Sequence, residues 1–213
     1  MATQPTSGIR LRRDNGWRIE RYPQTVSPID QDSSEARHLL LASALRVAVS
    51  SGLDAVDLDT VAADAGVSPD ATRATFPDRE ALLLELLDVV LARTLNAERD
   101  LAVADSGRLQ LGDMLTAEME GLRRQAPVVE LIFAFYFARS DQLFRERIQS
   151  ALSTYRRAFE TALAGVELRR GISVSATSSI VIAFLQGAAV QIIRDPDNFA
   201  PDDAIAAVRA LLP

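Results

Sequence analysis

The run from Asp57 to Leu83, DLDTVAADAGVSPDATRATFPDREALL, constrains this chain more than any other segment. Leu58, Val61 and Ala62 fall at i, i+3 and i+4 and make the apolar face of a short helix. Gly66 stands where that helix must end and turn, a position suited to positive φ. Val67 plugs the turn. Ser68 is a good N-cap and Pro69 a good first residue for the next helix. That second helix must be short, because Pro77 disfavours helical backbone at Phe76. Asp78 then caps a third helix opening Arg79-Glu80-Ala81-Leu82. Two short helices joined by a glycine-containing turn present the second helix to the DNA major groove in helix-turn-helix readers.

Ala65-Gly66-Val67-Ser68 followed by Phe76-Pro77-Asp78-Arg79-Glu80-Ala81-Leu82 resembles the TetR family of transcription regulators. The resemblance covers residues 36 to 90 well. It extends loosely to the C-terminus through Phe184-Leu185-Gln186-Gly187-Ala188 and Asp195-Pro196. It implies an all-α chain, a three-helix reader followed by a larger helical bundle. It also implies dimerisation through the last two helices and control by a small molecule.

Composition narrows the chemistry. There is no Cys and the one His is His38, so thiolate sites, His-based metal clusters and catalytic triads within one chain are excluded. The expectation is therefore no enzyme, no cofactor and no metal. The start, Met1-Ala2-Thr3-Gln4-Pro5, carries no apolar signal segment. The most apolar run, Ile180 to Ile193, is short and interrupted by Gln186 and Gln191, which reads as a buried helix and not a membrane span. A cytoplasmic protein is expected. The net charge of −6 argues against indiscriminate polyanion binding but leaves room for a local basic site.

Three regions follow: an Arg-bearing extension over 1–33, a helix-turn-helix domain over 34–78, and a ligand-binding and dimerisation domain over 79–213. The last begins with a linking helix from Arg79 to about Ala104. Breaks are expected at Ser106-Gly107, Pro127, Ser140, Gly171 and Asp195-Pro196. Within the extension, Asp14-Asn15-Gly16 is a hairpin signal. A three-residue turn pairs Arg13 with Trp17, Leu11 with Ile19 and Ile9 with Arg21, placing Arg10, Arg12 and Arg18 together on one face. The alternative is a tail without fixed structure, since a lone two-stranded hairpin is marginal in water.

The candidate DNA-binding set is Arg10, Arg12, Arg13, Arg37, Thr60, Ser68, Asp70, Thr72, Arg73, Thr75 and Arg79. An Arg pairs bidentately with guanine, which makes Arg73 the foremost base reader, with Thr72 and Thr75 beside it and Ala71 for a thymine methyl. Asp70 either accepts from cytosine N4 or only complements the helix N-terminus. The family usually has an aromatic residue at Arg73, basic, aromatic or His residues at Ala74 and Thr75, an apolar one at Thr72 and a small one at Asp70. This chain departs at each. Between Ser33 and Glu80 eight acids face four arginines, a balance of 4 − 8 = −4. Phosphate neutralisation supplies most non-specific affinity, so the reader alone should bind DNA weakly. Arg10, Arg12, Arg13, Arg18 and Arg21 either compensate by entering the minor groove, as N-terminal arms do, or form an ordinary solvated charge run.

In the last region, Phe144, Ile148, Ala151, Tyr155, Phe159 and Ala162 form one apolar stripe on a long helix. Aromatics crowd Phe133, Phe135, Tyr136 and Phe137 too closely to share one core. Met114, Met119, Phe133, Tyr136, Phe137, Phe144 and Tyr155 either line a ligand cavity, with Leu122 beside them and Tyr136, Arg139 and Tyr155 as polar contacts, or are ordinary core residues. Glu118 and Glu120 read as solvated. The helix over 174–194 is apolar nearly all round and needs cover on two sides. Either a second subunit supplies it, with Ala183, Gly187, Ala188 and Gln191 as the candidate dimer interface, or the helix is the central core helix of a monomer.

The expected partners are therefore an operator duplex, a small apolar or aromatic effector and a second copy of the chain, with no membrane. The expected function is a repressor released by that effector. The rival reading is a similar fold that has lost operator binding and serves as a ligand-sensing or protein-interaction module.

Overall fold

The computed structural model describes residues 9–13, 17–21, 28–95, 111–138, 141–164 and 171–211. The fold is all-α apart from one antiparallel hairpin, β1 (Ile9–Arg13) and β2 (Trp17–Arg21). Its register sets Ile9 opposite Arg21, Leu11 opposite Ile19 and Arg13 opposite Trp17, the pairing of a three-residue connection. Of the two readings of the extension, the hairpin is the one formed. Its turn, Asp14 to Gly16, lies outside the described residues.

The reader begins upstream of the expected boundary. Helix α1 (Pro28–Ser51) starts on a proline, which suits a first helical position. A 3₁₀ turn (Leu53–Ala55) leads to α2 (Leu58–Ala65), α3 (Pro69–Thr75) and α4 (Arg79–Thr94). The linking helix thus ends well short of Ala104. Leu95 leaves the helical region at φ −106°, ψ 61°, while its N–H still reaches the Leu91 carbonyl. Beyond it come α5 (Leu111–Arg124), α6 (Ala126–Ala138), α7 (Gln142–Leu163), α8 (Val174–Arg194) and α9 (Pro201–Leu211). The break expected at Pro127 falls earlier, at Gln125. Pro127 sits in the first turn of α6, where a missing N–H breaks no intrahelical bond. The expected breaks at Ser106-Gly107 and Ser140 lie outside the described residues.

Two apolar clusters organise the helices. The first joins Leu40 and Ala44 of α1, Val61 of α2 and Phe76 to Leu82, Leu86 and Val90 of α4, and continues into Leu131 and Phe135 of α6 and Phe144 of α7. Helix α4 is therefore gripped by the reader on one side and by α6 and α7 on the other. The second cluster joins Met114, Leu115 and Met119 of α5, Tyr155 and Phe159 of α7, Leu185 and Ala188 of α8, and Ile205 of α9. The α7 stripe runs through both: Phe144, Ile148 and Ala151 belong with the first cluster, Tyr155, Phe159 and Ala162 with the second. A shift of α7 must therefore be felt in both clusters, because close-packed interiors transmit displacement.

Candidate functional site

Local backbone chemistry sets the attitude of α3. Asp57 caps α2, accepting from the Thr60 N–H and hydroxyl at 2.8 Å each. These bonds stabilise the ionised carboxylate and hold its pKa below the ordinary value. Gly66 ends α2 in the left-handed region at φ 67°, ψ 25°. Ser68 accepts from Ala71 N–H at 3.3 Å to cap α3, and Asp78 accepts from Ala81 N–H at 2.8 Å to cap α4. Helix α3 then presents Asp70, Arg73 and Ala74 to solvent, with Ala71 and Thr75 half-buried.

Several expected DNA contacts turn out to hold the reader together. Thr72 is 1 % exposed and donates to the Ser68 carbonyl at 3.0 Å, so it cannot read a base. It faces the reader's own core, which agrees with the apolar residue usual there in the family. Thr75 donates to the Ala71 carbonyl at 2.7 Å. Thr60 and Ser68 are exposed but serve the two caps. Arg37 bonds Glu85 of α4 and lies over the Phe76 ring at 5.2 Å. Arg79 donates through Nε to the Val56 carbonyl at 2.6 Å and through Nη2 to the Leu53 carbonyl at 2.8 Å. Arg46 bonds Asp64 at 2.6 Å, and Asp64 also accepts from Ser43 Oγ at 2.6 Å. Those two donors lower the Asp64 pKa. Arg73 remains on the outer surface, 3.6 Å from Asp59, with Asp54, Asp70 and Glu80 also exposed. The cap at Asp57 was missed in the sequence, although an Asp directly before the apolar-periodic Leu58 was its signal. The Arg79 bonds had no sequence signal, because their acceptors are backbone carbonyls more than twenty residues away.

An open groove of about 880 Å³ runs between the first half of α1 and α3, walled by Ser34, Glu35, Leu39, Ala71, Ala74 and Thr75. It lies toward the end of α1 that is nearer the hairpin in sequence. Arg10, Arg12 and Arg13 all belong to β1.

The interior site is lined differently from the expected one. A cavity of about 50 Å³ is bounded by Phe133 and Tyr136 of α6, Leu152 and Tyr155 of α7, and Leu122, Ile182 and Leu185 around them. Burial pushes the Tyr136 hydroxyl up to about 12, so it is a neutral hydrogen-bonding group. Tyr155 donates to Glu118 Oε2 at 2.7 Å, so Glu118 is half-buried and engaged, not solvated as expected. Glu120 is exposed, 3.4 Å from Arg124. Three expected lining residues lie in the apolar clusters instead. Met114 and Met119 fill the second cluster, and Phe144 stacks on Phe135 at 5.9 Å in the first. Phe137 is 85 % exposed and stacks on Phe133 at 6.5 Å. It falls on the outer side of α6 because consecutive helical positions turn by about 100° from one another. Arg139 lies outside the described residues.

Helix α8 has an uncovered face. Ala183, Gly187 and Gln191 are exposed, flanked by Ile180 and Val190. A Cβ added at Gly187 would meet nothing within 4 Å. Ala188, expected at the interface, is 1 % exposed and packs inward in the second cluster. On α9, Ala206, Ala207 and Ala210 are exposed as well. By length and composition α8 is apolar enough to cross a membrane, but polar Ser175, Ser179, Gln186 and Gln191 interrupt its outward side.

No group of three or more His, Cys, Asp or Glu side chains suited to a metal occurs among the described residues. No protein-family model and no curated protein matches the sequence. Solved structures do. A transcriptional regulator from Rhodococcus sp. Rha1 superposes with a TM-score of 0.66 at 21 % identity, over 82 % of this chain and 92 % of that one. A Rhodococcus protein assigned to the TetR family gives 0.63 at 21 % identity, over 84 % and 100 %. NalD of Pseudomonas aeruginosa, the secondary repressor of the MexAB-OprM multidrug efflux pump, gives 0.59 at 20 % identity, over 84 % and 96 %. With its capped α2–turn–α3 reader carried on α4 and its helical bundle beyond, the chain has the fold of the TetR-family transcriptional regulators.

Proposed function

We propose that the protein is a soluble, homodimeric, DNA-binding transcriptional repressor released from its operator by a small apolar or aromatic molecule. The presentation of α3 carries this reading: a short helix, capped at Ser68 and stopped at Phe76, with Arg73 outward. The uncovered apolar face of α8 supports the dimer, and two readers related by a two-fold axis would address half-sites about one helical turn apart. The route from effector to reader is physical. Phe135 and Phe144 belong to the same apolar cluster as Leu86 and Val90 of α4, and Arg147 of α7 pairs with Asp88 of α4 at 3.0 Å. The cavity as it stands holds no more than a few water-sized molecules, at about 10–15 Å³ each. Any larger effector has to displace the surrounding helices, and because Thr94 and Leu95 at the end of α4 are part of the wall, that displacement bears on α4 directly. Such an effector stabilises whichever reader spacing it fits, and release follows only from that differential affinity.

The second reading, a sensor or interaction module without operator binding, is favoured by one observation. Arg37, Arg46 and Arg79 are engaged within the reader, while Asp54, Asp59, Asp70 and Glu80 are exposed. Fluorescence anisotropy of the full chain against DNA fragments flanking its own gene, at low salt, separates the two. Sequence-specific binding supports the repressor. Absence of binding to every fragment supports the module.

A further inference from the structure

The interior cavity has a neighbour outside it. On the outer side of α7, Arg145, Ile148, Gln149, Leu152, Arg156 and Arg157 border an open groove of about 710 Å³, whose remaining wall includes Tyr136. Tyr136 and Leu152 also line the cavity. Two half-buried side chains are thus all that the cavity and the groove share as a partition. At 1.5 Å of rise per residue, Arg156 sits about 6 Å along the helix from Leu152, and since helical side chains lean toward the N-terminus its guanidinium is directed at the partition, while Arg145, about 10 Å beyond Leu152, stands at the far end of the groove.

The charge at this mouth is unbalanced. The chain carries 29 acids against 23 bases, and Arg147, on the same helix, has its carboxylate partner in Asp88. Arg145 and Arg156 have no carboxylate within 4 Å among the described residues. Glu146, the acid nearest Arg145 in sequence, is bonded to Gln142 at 2.7 Å, and Arg157 donates to Thr154 Oγ1 at 3.0 Å. The residues bordering the cavity itself carry no formal charge.

We infer that the effector enters between Tyr136 and Leu152 and is an amphipathic carboxylic acid, its apolar body widening the cavity it fills and its carboxylate held in the groove by Arg156, with Arg145 adding positive charge at the groove's far end. The inference rests on the proposed effector site and narrows its ligand class. A cavity without charge favours hydrocarbon over anything ionised. A guanidinium offers a carboxylate two parallel charge-assisted hydrogen bonds, which an alcohol of the same length cannot use equally.

The test is calorimetric titration of the full chain with octanoate and with 1-octanol, repeated on the Arg145→Ala/Arg156→Ala double variant. Both arginines are exposed, so the variant keeps its core. The wild type should bind octanoate about tenfold or more tighter than octanol. In the variant that ratio should fall to about one with octanol affinity unchanged. Octanol binding as tightly as octanoate, or a ratio that survives in the variant, overturns the inference and leaves an apolar effector site standing. Failure of the wild type to bind either compound overturns the inference and the effector site together.

Discussion

Gly187→Trp isolates the dimer from the fold. Within one chain a Cβ at Gly187 meets nothing within 4 Å, and the residue is exposed in mid-helix, so the substitution introduces no clash of its own. Helix propensity even favours it, since glycine costs about 0.8–1.0 kcal/mol relative to alanine in a helix interior and tryptophan less. Any loss of assembly therefore reports on a second chain. If α8 meets its symmetry mate across Ala183 and Gly187, an indole there overpacks a tight contact at about 1–3 kcal/mol, and the two-fold axis applies that cost from both subunits. At 1.4 kcal/mol per factor of ten, one such contact raises the dimer dissociation constant about fivefold to 150-fold. Sedimentation velocity over a concentration series reads this directly, and circular dichroism should report unchanged helix content. A wild type that sediments as a monomer at micromolar concentration, or a variant that sediments like the wild type, would refute the reasoning.

Three further outcomes are expected. Arg73→Ala should cost about 1–3 kcal/mol on the specific site and little on random DNA in parallel anisotropy titrations; equal losses would make Arg73 a phosphate contact. Deleting residues 1–26, which carry both hairpin strands but stop short of α1, should weaken DNA binding severalfold. It should also flatten the slope of log affinity against log salt by roughly one unit for each phosphate no longer neutralised, and unchanged affinity and slope would remove the arm from the interface. Asp57→Ala should destabilise the reader by about 0.5–2 kcal/mol at pH 7 through loss of the α2 cap. Because the native Asp57 pKa is lowered, the wild-type advantage is fully present above the unfolded value near 4 and fades as pH falls through the native one. Denaturant titrations at pH 7 and pH 2.5 that give the same wild-type-to-variant gap would show that the bonds to Thr60 are not its source.

What the sequence determined by itself was local. The left-handed turn at Gly66, the caps at Ser68 and Asp78, and the stop before Pro77 are set by residues within four positions of one another. So is the hairpin register, once three residues are allotted to its turn. The α7 stripe was legible because helical spacing alone brings its members to one side. Which partner each side meets was not legible, since the rotation of a helix about its axis is fixed by neighbours distant in sequence. That rotation turned Thr72 inward and left Arg73 out, sent Phe144 into the core and Phe137 into solvent, and parted Ala188 from Gly187. Charge showed the same division. The excess of acids over arginines in the reader could be counted from the chain. Only the tertiary structure decided that Arg79 would be drawn to the Val56 and Leu53 carbonyls and Arg37 to Glu85 and Phe76, because the packing of distant segments determines which acceptors and which ring a guanidinium can reach.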